Sequence, residues 1–357
     1  MVDGVSHTST EEATLAAYTT LRLGGPAGRL LTATDAAEVA QSVRDAAAAG
    51  EPALVLGGGS NVVIADQGFP GTVILIRSRG LRVCASDAET VTVQVAAGEP
   101  WDEVVSAAVA AGWSGLECLS GIPGAAGATP IQNVGAYGQE VAETITRVQV
   151  LDRLADQVRW LPPHQCGFGY RTSVFKHTDR WVVLAVEFRL RRSTSSAPVR
   201  YAELARKLEV APGARAPLGA VREAVLALRA AKGMVLDPAD PDTRSAGSFF
   251  TNPVLEPAAY RALRATAGEV PSWPEPDGRV KVSAAWLIER AGFTKGYAGT
   301  DGFRGVAIST KHTLALTHRG GGTTAALLSL AREIRDGVAG RYGIHLRPEP
   351  VLINCAL

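Results

Sequence analysis

Residues 121–138 read GIPGAAGATPIQNVGAYG, a stretch studded with glycine and proline and without one charged side chain. Its apolar residues follow neither a helical nor a strand period, and Gly and Pro interrupt it too often for either. A long uncharged loop is uncommon in a compact domain and is usually functional. Small side chains let backbone N–H groups approach a ligand closely, and N–H groups in a curved loop make a concavity for anions. A second such loop, Gly57-Gly58-Gly59-Ser60-Asn61, directly follows the apolar run Ala53–Leu56. Two backbone-lined loops in one chain point to a phosphate-bearing cofactor held without Lys or Arg.

Outward from these loops, 357 residues suffice for two or three domains, and 46% hydrophobic content is that of a globular protein. A net charge of +1 gives no global field toward nucleic acid or a membrane surface. The short basic cluster Arg189, Arg191 and Arg192 reads as a solvated strand end. Cys84, Cys118, Cys166 and Cys355 lie far apart without CxxC spacing, which argues against a zinc site or a disulfide framework and fits reduced, mostly buried thiols. The histidines (His7, His164, His177, His312, His318 and His345) show no metal-ligand spacing, so no metal is expected. The N-terminal residues lack the basic start and apolar run of a signal peptide, and no apolar run is long enough to span a bilayer. A cytoplasmic protein is expected.

Residues 1–15 read as a frayed tail. Asp35-Ala-Ala-Glu38 resembles a capping box and opens an alanine-rich helix ending at Gly50. Strands are expected at 53–56, 72–77, 91–96, 146–151, 157–161 and 181–190, and a helix from Pro100 to about 111. Residues 192–198 form the best linker. Beyond it, helices are expected at 218–232, 257–267, 284–291 and 323–342, with a strand at 313–317. The apolar stripe Leu327, Leu330, Ile334 and Val338 reads as core packing.

Taken singly, the motifs are ambiguous. The loop at 57–61 lacks the Gly-Lys-Ser/Thr ending of a P-loop and the GxGxxG spacing of a Rossmann helix; alone it could be a tight turn. Thr129 and Asn133 could meet a phosphate or a ring edge. Arg171, inside Phe168-Gly169-Tyr170-Arg171-Thr172, is either an ion-pair partner or a clamp for a substrate carboxylate. Ser248, in Ser245-Ala246-Gly247-Ser248-Phe249-Phe250, is not a GxSxG elbow and alone reads as a cap. Glu349 sits between Pro348 and Pro350 in a rigid, non-ladder stretch and reads alone as a surface carboxylate.

In order along the chain, GGGSNVVI, SGIPGAAGATPIQNVGAYG, CGFGYRTSVFK, AGSFFTNP, AAWLIERAG and LRPEPVLI resemble the UDP-N-acetylenolpyruvoylglucosamine reductase family, from about Thr20 to the end. The resemblance implies an α+β chain: a vanillyl-alcohol-oxidase (PCMH) type FAD-binding domain at 16–193, with lobes of about 16–77 and 78–193, followed by an α+β substrate-binding domain at 200–357. It implies bound FAD, contacted by Gly57, Gly58, Gly59, Ser60, Asn61, Ser120, Ile122, Pro123, Gly124, Gly127, Thr129, Asn133 and Gly135, and NADPH as co-substrate. Arg171, Ser248 and Glu349 stand at the positions of the family's catalytic trio. Tyr170, Tyr201, Lys232 and Asn252 stand where substrate contacts are expected. The long segment between Arg171 and Ser248 looks like the family's first type, whose Tyr-bearing insertion closes over the substrate. Near residues 298–304 the chain looks longer than usual, and His318 stands where Asn is commoner.

The implied reaction reduces the enolpyruvyl ether of UDP-N-acetylglucosamine-enolpyruvate to UDP-N-acetylmuramate for peptidoglycan synthesis. Hydride passes from reduced FAD to the vinyl carbon, and the resulting enolate needs preorganised donors. Arg171 supplies a fixed charge. Glu349 donates a hydrogen bond only when protonated, a state that burial or the substrate carboxylate favours. Ser248 protonates the enolate carbon. A monomer is expected, without nucleic-acid or membrane partners. Two other readings stay open: an alcohol or hydroxy-acid oxidase on the same fold, and a nucleotide-sugar binding protein without activity.

Overall fold

The structure, a computed structural model, describes residues 14–302 and 304–357. They form two compact units, each discontinuous in sequence. The first contains Ala27–Gly59 and Phe69–Val235; the second contains Thr14–Pro26, Ser60–Gly68 and Leu236–Leu357.

The first unit carries two sheets. Strands Ala27–Ala33, Phe69–Ile76 and Ala53–Leu56 form a parallel sheet with Phe69–Ile76 in the middle. The helix Ala36–Ala48 crosses between its outer strands. Its start is written as expected: Asp35 accepts from Glu38 N at 2.8 Å, and Glu38 accepts from Thr34 N at 2.7 Å. Its Val39, Ala40 and Val43 pack on Ile74 and Ile76. The antiparallel sheet runs Gln157–Leu161, Ile145–Asp152, Trp181–Arg192, Thr90–Ala96 and Leu81–Ser86. Against it lies the helix Trp101–Ala110, whose Trp101 ring sits 5.7 Å from that of Phe188. The edge strand Leu81–Ser86 escaped the sequence reading because most of its residues are exposed and no apolar alternation marks it.

The expected linker at 192–198 is packed chain. Ser196 N donates to Ala216 O at 2.8 Å, Arg215 donates to Ser196 O at 2.7 Å, and Ser195 bridges Pro217. Serine-rich composition reads as loose chain, yet short hydroxyls also bond locally to backbone. The helices Ala202–Lys207 and Leu218–Ala231 then bury Leu204, Val221 and Val225 around Cys118, so the first unit continues to Val235.

In the second unit, strands Ser245–Ser248, Ala315–His318 and Val306–Ile308 form an antiparallel sheet under the helix Thr324–Tyr342. Leu327, Leu330, Ile334 and Val338 are all core, as their spacing predicts. A parallel pair, Val62–Ile64 with Val351–Ile353, joins the end of the first glycine loop to the C-terminal strand. Of the expected tail, residues 1–13, with His7, lie outside the described residues. Thr14 bridges Pro26 and Leu15 is fully buried, so the tail reading fails there. All four cysteines are free thiols: Cys118 and Cys166 are buried, Cys355 is half-buried, and Cys84 is exposed on the edge strand.

Candidate active site

The two glycine loops meet within the first unit. A Cβ on Gly58 would stand 2.6 Å from Gly124 Cα, and one on Gly57 would stand 3.2 Å from Ala125 Cβ. Only glycine at 58 permits that backbone approach. The second loop is anchored by its own main chain: Trp101 N donates to Gly124 O at 3.0 Å, Ala126 N to Glu99 O at 2.8 Å, and Gly127 N to Ala97 O at 2.9 Å. Gly127 lies against Ala97, where a Cβ would come within 2.5 Å of the alanine side chain. Gly121 N is held by Asp102 at 2.6 Å. Among the described residues, the N–H groups of Gly57, Gly58, Ile122, Gly124 and Ala125 donate to no protein group. These amides, gathered where two loops touch, fit a phosphate-bearing cofactor. Arg77, which the sequence reading passed over, donates to Gly57 O at 3.0 Å and braces the first loop from below.

The side chains expected to touch the cofactor are more engaged with protein. Ser120 is fully buried and donates to Glu117 O at 2.7 Å. Thr129 donates to Ala126 O at 2.7 Å. Asn133 spends its whole amide on the loop: Nδ2 donates to Glu140 at 2.7 Å and to Gly169 O at 3.1 Å, and Oδ1 accepts from Ala142 N at 3.2 Å. It shapes the loop from inside. Ser60 and Asn61 belong to the second unit, where Asn61 O accepts from Val351 N at 2.9 Å.

Arg171 is fixed to the second loop. It sits in the turn closed by Gly169 and Thr172, with a left-handed φ of +53°. Its Nη2 donates to Gly135 O at 2.7 Å, and Glu140 Oε1 lies 3.9 Å from Nη1. A Cβ on Gly135 would stand 3.0 Å from Nη1, so the glycine clears a path for the guanidinium. Ser173 donates to Ile131 O at 2.6 Å, and Lys176 donates to Arg171 O at 3.2 Å. The guanidinium lies 5.3 Å from the Tyr170 ring. Thus the strings around Arg171 and around Asn133 fold onto one another, which no local pattern in either discloses.

A second cluster in the first unit joins two expected substrate residues. Tyr201 precedes the helix Ala202–Lys207, and Lys232 follows the helix Leu218–Ala231. Lys232 Nζ lies 2.6 Å from Glu203 and 5.8 Å from the Tyr137 ring, and Tyr137 meets Tyr201 edge to face at 5.3 Å. Burial pushes the Tyr137 phenol up to about 12, against the pull of Arg229. Arg229 donates to Met234 O at 2.8 Å, while its buried Nε has no partner. Tyr137, Glu203 and Arg229 carry no local sequence signal of this cluster; Tyr137 sits within the uncharged run 121–138, whose glycines and prolines mark a loop and not a side-chain role.

In the second unit, Ser248 ends the strand Ser245–Ser248. A bulge between its pairings to Thr317 and Ala315, with Gly247 at φ +74°, re-aims this end of the strand. The buried rings of Phe249 and Phe250, 5.1 Å apart, root the segment in the core. Glu349 N donates to Phe249 O at 2.9 Å, Thr251 N donates to Arg347 O at 3.1 Å, and Phe250 bridges Pro348. The proline-flanked stretch around Glu349 is held by one isolated bridge and forms no strand, as the non-ladder reading expects. Each proline lacks a donor, but Glu349 between them keeps its own. Ser248 and Glu349 thus sit on adjoining segments of the second unit; Arg171 belongs to the first. Asn252 accepts from Ala284 N at 2.9 Å and so caps the helix Ala284–Arg290. Among the described residues, no group of three or more His, Cys, Asp or Glu could hold a metal, and no helix is long and apolar enough to cross a membrane.

Fold and loops define an α+β flavoprotein with an FAD-binding domain of the PCMH type: residues 27–160 match the FAD binding domain family. Residues 238–353 match the C-terminal domain of UDP-N-acetylenolpyruvoylglucosamine reductase. The reductase of that name from Salinispora arenicola is 65% identical over 97% of this chain and 96% of its own. The one from Saccharopolyspora erythraea is 57% identical, covering 99% of this chain and 98% of its own. The crystal structure of UDP-N-acetylenolpyruvylglucosamine reductase from Thermus caldophilus shares the fold, with a TM-score of 0.66 at 24% identity over 97% of this chain and 99% of that one. The chain belongs to the UDP-N-acetylenolpyruvoylglucosamine reductase family, FAD-dependent oxidoreductases of peptidoglycan synthesis.

Proposed function

We propose that this enzyme reduces the enolpyruvyl ether of UDP-N-acetylglucosamine-enolpyruvate to UDP-N-acetylmuramate, with NADPH as reductant and Arg171, Ser248 and Glu349 as catalytic residues. The observation that carries the reading is the bond from Arg171 Nη2 to Gly135 O: it fixes a permanent cation on the loop whose amides fit the cofactor. FAD, when bound through Gly57–Ser60–Asn61 and 122–127, supplies the hydride. The substrate changes from CH2=C(OR)–COO⁻ to CH3–CH(OR)–COO⁻, so one proton must come from the protein side. Arg171 holds the substrate carboxylate and stabilises charge that spreads onto it as the enolate. Ser248 gives its hydroxyl proton to the enolate carbon and is reprotonated from solvent. Glu349, in its protonated form, adds a hydrogen bond to the enolate. Lys232 and Asn252 take the diphosphate, Tyr170 lines the sugar side, and Tyr201 covers the nucleotide-sugar as a lid of the Tyr-bearing first type. Residues 16–193 bind FAD and 200–357 carry most of the substrate site. The enzyme acts as a cytoplasmic monomer.

The test separates the half-reactions. In Ser248→Ala, bleaching of the flavin by NADPH should match wild type, while reoxidation by the enolpyruvyl substrate should slow by ~10²–10⁴-fold. Equal slowing of both half-reactions would remove Ser248 from the proton step. Rapid reoxidation by oxygen with no response to the UDP-sugar would favour an oxidase.

A further inference from the structure

Glu203 lies in the first turn of the helix Ala202–Lys207, two residues after Tyr201. Its carboxylate meets Lys232 Nζ at 2.6 Å, with both side chains about one-third accessible (32% and 31%). The cation is thus already matched by an internal anion, beside the paired rings of Tyr137 and Tyr201. We propose that Glu203 holds the place of the substrate's diphosphate on Lys232, and that the arriving diphosphate displaces it. The inference rests on the reading of Lys232 as a diphosphate contact.

The physical reason is competition for one ammonium. A carboxylate oxygen at hydrogen-bond distance from Nζ stands where a phosphate oxygen would stand. Two anions crowded about one cation repel each other, so a bound diphosphate disfavours the Glu203–Lys232 pair. Glu203 stands two residues after Tyr201, the N-cap of that helix, so the exchange takes place beside the residue read as the lid. A neutral sugar would not break the pair. Attraction to Lys232 thus favours the diphosphate, and the resident carboxylate withholds part of that attraction until it is displaced.

Uridine diphosphate is the probe, titrated by calorimetry into the FAD-loaded enzyme at low and high salt. Wild type, Glu203→Gln, Glu203→Ala, Lys232→Ala and Glu203→Gln/Lys232→Ala are compared, with the flavin spectrum as a check of the fold. Removal of the competing carboxylate should tighten uridine diphosphate binding by about two- to five-fold, the amount a part-exposed ion pair can withhold. Both Glu203 variants should shift alike, the gain should shrink at high salt, and it should vanish when Lys232 is absent. Unchanged or weaker binding by Glu203→Gln and Glu203→Ala, with Lys232→Ala still weakened, would overturn the place-holder and leave the Lys232 reading standing. Equal binding by wild type and Lys232→Ala would overturn both.

Discussion

Gly58→Ala tests whether the two loops form one cradle. Gly58 has no left-handed φ, so alanine brings no backbone penalty of its own. What it brings is a methyl carbon 2.6 Å from Gly124 Cα and 3.0 Å from Gly124 C, both backbone atoms. The first distance is about 0.8 Å short of the 3.4 Å at which ordinary contact begins, so one loop must retreat by roughly that amount. Overpacking of this kind costs ~1–3 kcal/mol of stability. It also carries the amides of Gly57 and Gly58 away from those of Ile122, Gly124 and Ala125. Loss of one amide–phosphate bond costs ~1.5–3 kcal/mol, or about 10- to 150-fold in FAD affinity. Quenching of FAD fluorescence on titration with apoenzyme measures the affinity directly. Gly340→Ala is the control: this exposed helical glycine has open space around it, so the same added methyl should raise stability by ~0.5–1 kcal/mol and leave FAD binding alone. If Gly58→Ala bound FAD within about three-fold of wild type at an unchanged melting temperature, the shared cradle would be wrong.

Further expectations follow from packing and charge. Gly337, one turn before Gly340 on the same helix, has the Phe293 ring where a Cβ would go; Gly337→Ala should lower stability by ~1–3 kcal/mol in urea titrations, opposite in sign to Gly340→Ala. Cys84 is the exposed thiol, while burial pushes the Cys118, Cys166 and Cys355 thiols up, so a chromogenic disulfide reagent should titrate one fast thiol, lost in Cys84→Ser. Hydrogen bonds from Arg180, against the cost of burial, hold Asp152 down at about 2, with Arg159 also bonded to it. Because its folded pKa lies below the unfolded value of ~3.9, its contribution is full above that value and is lost as pH falls toward 2. The stability gap between wild type and Asp152→Asn should accordingly stay level from pH 7 to 5 and narrow below 4.

The helices were readable because their signals are local: the Asp35–Glu38 start, Pro100 before the helix Trp101–Ala110, and the Leu327–Val338 stripe each act within a few residues. The site was readable as a set of strings but not as an arrangement. Nothing in the run 121–138 says that Asn133 will bond to Glu140 and Gly169 instead of a ligand, because its partners arrive from far along the chain. The exchange of segments between units has the same origin. Residues 60–68 follow a first-unit strand in sequence, yet their strand Val62–Ile64 pairs with Val351–Ile353 across most of the chain. Glu203 was hidden for another reason: a lone carboxylate in a short helix has no pattern until its distance to Lys232 is known.

The strained backbone around Arg171 shows how the first unit holds its part of the site. Asn133, Tyr137 and Arg171 all have left-handed φ, of +46°, +48° and +53°, without being glycine. Such conformations cost of order 1–3 kcal/mol each unless surrounding contacts over-determine them. Here each has such contacts. Asn133 is tied at both ends of its amide, Tyr137 is packed against Tyr201, and the Arg171 turn is pinned by Ser173, Lys176 and the guanidinium bond to Gly135 O. Glycine would adopt these angles at less cost, but it would bring no amide, phenol or guanidinium. That the strain falls where polar side chains must face one loop argues that it is retained for their placement. Arg171→Lys preserves charge and loses the fork of donors that fixes it to Gly135 O. It should therefore cut substrate reduction by ~10²-fold or more while flavin reduction by NADPH changes little. A lysine variant with near wild-type reoxidation would mean that charge alone suffices and that the guanidinium geometry, with the strain that supports it, is incidental to the chemistry.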